Sequence, residues 1–572
     1  MELYIENHPV DAQPGESLAS LVKKLGLDSQ DLNTRPLAAD IGGEVFTLNY
    51  VPCREMDALP RSMGYRERKA IRTGNRKISL IRYDSSRGSR VYERTLLFIF
   101  CLAARRVMPE AKVYSLFSLG AGLYLSLDRD PAPTAEDIAR LKAECEAIIK
   151  EDFPLERKRL DIDEAIAYFS ADNQKDKVDL LQWRQFDYFD VYRKDDYTDY
   201  FYGELCPSTG YCSVFDLVPC TEGVLLLKPD PEDLNKPAVY KPLPNFRATF
   251  RESDRWGALM ECENVSQLNG LIRSGRVREL IRVNEALHER KFAELATRIV
   301  DKGAKAVFIA GPSSSGKTTS ANRLCIQLRV LGKKPTLISL DDYYLDRDLI
   351  PREPDGSIDL EHIRTIDTKR FASDLKKLLS GEEVELPTFD FTVQKSRPSG
   401  RFVRSSEDAP ILIEGIHGLN PALLPEGFDT SKIFKLYVSA LTTLNLDDHN
   451  RIPTTDMRLL RRLVRDYLTR GSSVERTLGM WKSVQAGEHR WIFPYQEEAD
   501  AIMNTSLVYE FAVLKTHIYP ILQNVGPQSP CYDQVRSILK FLNYVLPADV
   551  EDEIPPTSIV REFIGGNTFY RS

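Results

Sequence analysis

Between residues 303 and 505 the chain repeats one pattern, a short apolar run followed by a stretch of helical character. The runs are 306–310, 336–340, 411–416, 433–438 and 501–503. Strands alternating with helices in this way form a parallel sheet covered by helices on both faces. Such a sheet binds its ligands in the crevice outside the carboxyl ends of the strands. The residues that follow each run are therefore the first place to look for chemistry.

The first run enters Gly311-Pro-Ser-Ser-Ser-Gly-Lys-Thr318, which fits G-x-x-x-x-G-K-[ST]. A strand precedes the motif and 317–331 has the composition of a helix, as a phosphate-binding loop requires. Glycines allow a tight turn in which successive N–H groups converge on phosphate oxygens, and the helix start adds a favourable dipole. Gly311, Ser313, Ser314, Ser315, Gly316, Lys317, Thr318 and Thr319 are thus the expected ATP-binding residues. Lys317 neutralises the β- and γ-phosphates, and Thr318 offers a hydroxyl to Mg²⁺. A loop alone only binds a nucleotide; holding the metal needs an acid. The run 411–413 ends in Glu414, a candidate metal ligand directly or through water. The run 336–340 ends in Asp341-Asp342. Asp341, first after the strand, is preferred as the base that accepts a proton from an acceptor hydroxyl, and it joins Thr318 and Glu414 as a candidate metal residue.

Further on, Arg458, Arg461, Arg462 and Arg465 recur at helical spacing, opposite Leu460, Leu463, Val464 and Tyr467. Gly471 is the expected C-cap. Residues 451–476 carry seven arginines against three acids, a net of +4. Arginine forks suit phosphate oxygens, so this helix is expected to serve the charge that spreads over a transferred phosphoryl group.

Taken together, residues 303–505 resemble the uridine kinase and phosphoribulokinase family of P-loop kinases. The residues that carry the likeness are GPSSSGKTT at 311–319, ISLDDYY at 338–344, PTFDF at 387–391, IEGIHGL at 413–419, RLLRRLVRDYLTRG at 458–471 and EADAIMNT at 498–505. The resemblance implies an ATP- and Mg²⁺-dependent kinase acting on a hydroxyl of a nucleoside-like small molecule. It implies that Asp341 is the general base, that Thr318 and Glu414 serve Mg²⁺, and that Arg465 and Arg470 belong to a lid over the triphosphate, acting with Lys317. The implied acceptor-binding residues are Tyr343, Glu361, Phe389, Asp390, Lys395, Arg397 and Arg462. The departures fall where the acceptor should bind. Phe389 stands where the family carries Tyr, Lys395 where it carries a base-reading His, Met480 where it carries Gln and Ser472 where its lid ends in Arg. A sugar or sugar phosphate is the alternative acceptor, with Lys395, Arg397 and Arg364 meeting its anionic group.

Residues 1–60 resemble the β-grasp TGS module of threonyl-tRNA synthetases, and 61–230 the editing domain that follows it there, on Arg105-Arg-Val-Met-Pro-Glu-Ala-Lys-Val113 and Pro207-Ser-Thr-Gly-Tyr211. That domain's H-x-x-x-H falls on Arg94 and Phe98 and its C-x-x-x-H on Phe201 and Leu205, so the editing site is expected to be lost. These relatives raise a second reading, an RNA-associated protein using its P-loop domain as an ATP switch. The expected architecture is a multidomain α/β chain: the TGS-like module, the α+β editing-like domain, a linker and helical connection at 231–302, the kinase domain, and a helical extension at 506–572. The basic, turn-rich opening of the second block spans 61–90. The formal net charge of −7 argues against a protein basic throughout. The longest strongly apolar run, 96–104, is short of the ~20 residues a membrane span needs. Nine scattered cysteines without a CxxC pair predict reduced thiols in the cytoplasm. An oligomer is compatible with all of this.

Overall fold

The computed structural model describes residues 2–52, 77–184, 187–220, 223–353, 356, 358–406, 409–424, 429–526 and 528–569. The expected boundary at 60/61 and the basic stretch 61–76 lie outside the described residues.

The first sheet runs His8–Asp11, Glu2–Ile5, Lys77–Ile81, Ala38–Ile41, Glu44–Phe46. The helix Leu18–Lys24 is capped by the Ser17 hydroxyl, which accepts from the Ser20 N–H, and packs Leu18, Leu21 and Val22 against Leu3 and Ile5. Strands 2–5 and 8–11, and 38–41 and 44–46, pair as two antiparallel hairpins. The central strand, however, is 77–81, parallel to 2–5 and antiparallel to 38–41. The first unit therefore closes past residue 60, with a strand assigned from sequence to the second block. In that block the helices Ser86–Val107 and Ala135–Glu151 share a core with the antiparallel sheet 216–220, 223–227, 122–128, 112–119.

The C-terminal sheet is wholly parallel, in the order 336–339, 411–414, 306–310, 433–439, 501–504. Every residue of Ala306–Ala310 is buried. Alternate side chains go to opposite faces. Val307 and Ile309 join a core with Leu280, Ile281, Phe292 and Leu295 of the helix Val277–Asp301, and with Phe511 and Leu514 of the helix Glu510–Gln523. Ala306 and Phe308 join another, with Phe246 and Phe250 of the helix Pro244–Leu259 and with Phe117, Leu119 and Leu225 of the N-terminal sheet. Phe117 stacks on Phe250 with ring centroids 4.0 Å apart. Two expectations are corrected here. Residues 231–302 supply a covering layer of the sheet as well as a connection, and one face is covered partly by another sheet. The extension 506–572 shares the same core. Among the described residues no helix is long and apolar enough to cross a membrane.

The N-terminal half and the C-terminal half also meet through a buried polar cluster. The Lys177 ammonium lies 3.1 Å from Asp199, His449 Nδ1 lies 2.7 Å from the same carboxylate, and the Asn450 amide donates to the Tyr200 carbonyl at 2.9 Å. Cys101, Asp199 and His449 bring their ligand atoms within 4.8 Å of one another; Lys177 supplies the positive charge there. His449 stacks on Phe201, whose ring is 5.9 Å from Phe98. Arg94 donates to the Glu204 carbonyl and Leu205 is buried. Phe98 and Phe201 thus pack ring against ring, and Arg94 is held by a backbone carbonyl.

Candidate active site

The loop after 306–310 needs its glycines. A Cβ on Gly311 would sit 2.0 Å from the Val438 carbonyl oxygen, and Gly316 has φ +84°, a conformation that costs glycine nothing. The helix Lys317–Val330 follows at once. The loop is fixed from behind. Buried Arg458 pairs with buried Glu488; the carboxylate accepts from the Ser313 N–H at 2.9 Å, and the guanidinium donates to the Ser313 carbonyl at 3.2 Å. Arg461 pairs with Glu510 at 2.7 Å and donates to the Ser314 carbonyl at 3.3 Å. The hydroxyls of Ser314 and Ser315 are buried with no hydrogen-bond partner, the state of a cradle built for a ligand.

Glu414 ends the strand Ile411–Glu414 in register with Ile309 and Ser339. Its carboxylate accepts from Ser339 Oγ at 3.0 Å and from Thr318 Oγ1 at 3.4 Å. Burial, with the charge of Asp341 adding, pushes it up to about 7. Asp341 lies in the turn Leu340–Tyr343 that leaves the neighbouring strand. Burial raises it as well, opposed by the cations Lys317, Arg470 and Arg465. Two carboxylates, Glu414 buried and Asp341 open to the cavity, and two hydroxyls converge here, an all-oxygen donor set that suits a hard divalent cation. Asp342 turns away: it accepts from Thr388 Oγ1 at 3.4 Å.

One cavity of about 770 Å³ holds Ser313–Thr318, Asp341, Tyr344, Glu361, Glu414, Arg462, Arg465 and Arg470. Arg462 donates to Ser313 Oγ at 2.8 Å. Buried Asp466 gathers three arginines, with Arg465 at 2.8 Å, Arg462 at 3.3 Å and Arg470 at 3.7 Å. Gly471 closes their helix in the left-handed conformation. The opposite face is less apolar than the spacing suggested, since Tyr467 is 44% exposed. Thr319 lies beside the cavity on the first helical turn.

The structure brings fewer of the acceptor residues together. Glu361 and Arg462 line the cavity. Tyr343 is in the core, its hydroxyl donating to Asp374 at 3.2 Å; its neighbour Tyr344 lines the cavity instead. Phe389, Asp390, Lys395 and Arg397 belong to the hairpin Glu383–Asp390/Lys395–Arg404. Arg397 is exposed and pairs with Asp390 at 2.8 Å, Lys395 is exposed at the hairpin's end, and Phe389 reaches the cavity only through its ring contact with Tyr344. Residues missed from sequence are Tyr344, which differs from Tyr343 only by a turn's geometry, and the 561–568 segment, which also lines the cavity and carries no motif.

A phosphate loop, an acid at the end of each of two adjacent strands and a ring of arginines around one cavity define an ATP-dependent small-molecule kinase. Residues 306–509 match the Phosphoribulokinase / Uridine kinase family. A uridine kinase of Staphylococcus haemolyticus is 32% identical over 196 residues, covering 34% of this chain and 84% of that enzyme. A uridine kinase of Halobacterium salinarum is 29% identical over 199 residues, 35% of this chain and 79% of its own. The chain belongs to the phosphoribulokinase/uridine kinase family.

Proposed function

We propose that the chain transfers the γ-phosphate of ATP to a hydroxyl of a nucleoside or nucleoside-like small molecule, with Asp341 as the general base. The observation that carries this is the Asp341 carboxylate at a strand end, lining one cavity with Lys317, Glu414 and the phosphate loop. A protein that only bound ATP would have no use for it. Asp341 takes the hydroxyl proton as the new O–P bond forms, a step worth ~10²–10⁴-fold in rate. Lys317, Arg465 and Arg470 meet the negative charge on the transferred group. The residues suited to Mg²⁺ are Thr318 and Glu414, with Asp341 nearby; the ion would neutralise phosphate charge when bound.

The acceptor is expected against Tyr344, Glu361 and Arg462. Uridine is expected to be a poor acceptor, because Phe389, Lys395, Met480 and Ser472 replace family contacts and each lost hydrogen bond to a buried partner costs ~1–3 kcal/mol. A sugar phosphate is less favoured, since Arg397 and Arg364 are already paired with Asp390 and Glu353. The test is kcat/KM for uridine, cytidine, other nucleosides and sugar phosphates under one ATP and Mg²⁺ condition. ADP release that depends on a nucleoside other than uridine supports the reading. Release driven by RNA alone, or by none of the acceptors, overturns it. We further propose that residues 1–230 form the TGS-like and editing-like units without hydrolytic activity.

A further inference from the structure

Residues beyond 509 lie outside the stretch that matches the family, yet they reach the phosphate loop. In the short helix Arg561–Ile564 the Glu562 carboxylate accepts from both the backbone N–H of Thr319, at 3.3 Å, and its hydroxyl, at 2.6 Å. Thr319 is in the first turn of the helix Lys317–Val330, where free amides and the dipole favour an anion. These are donors of the kind that a loop of this sequence turns toward phosphate.

The contact is held by more than itself. Phe563 and Ile564 are buried, and the Arg461 guanidinium lies 4.9 Å from the Phe563 ring. Ile559 packs so closely on the loop that a Cβ on Gly316 would come within 2.8 Å of it. The Ser558 hydroxyl donates to buried Glu285 at 2.5 Å. Glu562 and Asn567 line the same cavity as Lys317, Asp341 and Glu414.

We infer that Glu562 is an internal ligand of the phosphate loop, competing with the donor's phosphates for Thr319 and so determining which donors enter. The inference rests on the reading of this loop as the donor site. A polyphosphate that reaches Thr319 must displace a carboxylate and then lie near its charge, with Asp341 and Glu414 close by. A bare polyphosphate is drawn in by Lys317 and the arginines but must also settle beside the Glu562 carboxylate and the two strand-end acids. One that arrives with a divalent cation brings the charge that offsets them. Glu562 therefore favours metal-loaded donors over free anions. It is a specificity-determining residue, with no part in the chemical step.

The test is equilibrium binding to the full chain by calorimetry, with ATP and with inorganic tripolyphosphate, each with and without Mg²⁺. The variants are Glu562→Ala, Glu562→Gln and, as a control on the loop, Lys317→Ala; thermal unfolding checks that each is folded. Glu562→Ala should bind both metal-free ligands about tenfold more tightly, since a hydrogen bond to a charged group is worth about that factor. With Mg²⁺ the gain should shrink to about threefold or less. Glu562→Gln, which keeps an acceptor and loses the charge, should fall between, and it carries the test if the alanine variant melts early. Unchanged or weaker binding by both variants overturns the inference, as does an equal gain with and without Mg²⁺. If the wild-type chain binds neither ligand, or Lys317→Ala binds both as well as wild type does, the loop is not the donor site, and the proposed function fails along with this inference.

Discussion

The pair Arg458–Glu488 holds Ser313 by both its backbone groups, and breaking it should separate stability from catalysis. Both side chains are 1% exposed, so Arg458→Ala leaves a buried carboxylate without its counter-charge. That change costs about 3–5 kcal/mol, a large part of the ~5–15 kcal/mol that holds a folded protein together. The double variant Arg458→Met/Glu488→Leu removes both charges and fills the space with apolar atoms. Such replacements of a buried pair are often neutral or stabilising, so stability should return to within about 1 kcal/mol of wild type. Turnover should not return. The Ser313 N–H and carbonyl have lost their anchors, and a loop displaced by ~1 Å costs ~10²-fold. Chemical unfolding and acceptor-dependent ADP release, measured on both variants, check the two halves. A cost under about 1 kcal/mol for Arg458→Ala would show that the pair is not desolvated as described. Full turnover in the double variant would show that the loop holds its shape unaided.

Lys317→Ala should fold normally and lose phosphoryl transfer, because its side chain projects from the loop; full activity in a folded variant would remove the loop from the mechanism. Asp341→Asn should cut kcat by ~10²–10⁴-fold with little change in ATP affinity. Asp342→Asn, tied to Thr388, should do much less, and steady-state kinetics on the two would expose a wrong choice of base. Burial, with the charge of Glu488 adding, pushes Glu361 up to about 7 from the ordinary 4.5. A raised carboxyl contributes stability below 4.5 that is lost as the pH rises through 7. Glu361→Gln should therefore unfold with wild type at pH 4 and be more stable by up to about 3 kcal/mol at pH 8.5, at ~1.4 kcal/mol per unit. Thermal scans across that range would contradict the burial of Glu361 if the two curves stayed parallel.

The parallel sheet was legible because its strands are short, mainly apolar runs, and the order of loop, Asp341 and Glu414 along the chain placed all three at strand ends. The arginine helix was legible only as a stripe. Spacing put Arg458, Arg461, Arg462 and Arg465 on one face but could not say that Glu488 and Glu510 would reach across to bury the first two. That depends on how two later helices pack, which no local pattern records. Tyr343 and Tyr344 show the same limit at smaller scale: one residue in a tight turn decides between core and cavity. The strand 77–81 could not be placed in the first sheet from its own composition, because its parallel partner is 73 residues away (Tyr4 opposite Lys77) and leaves no turn between them.

The polar cluster between the halves bears on what could be cut from this protein. Uridine kinases about the length of residues 306–509 are whole enzymes, which makes that segment look like a ready-made fragment. Here, excision would strip Asp199 and Lys177 from His449 and Asp447, and would strip Phe117, Phe250 and the helix Val277–Asp301 from the sheet. Buried charges would be left without counter-charges and an apolar face left wet. The catalytic unit leans on the N-terminal half for its cover: a version of this chain without it would need a new surface over that face of the sheet.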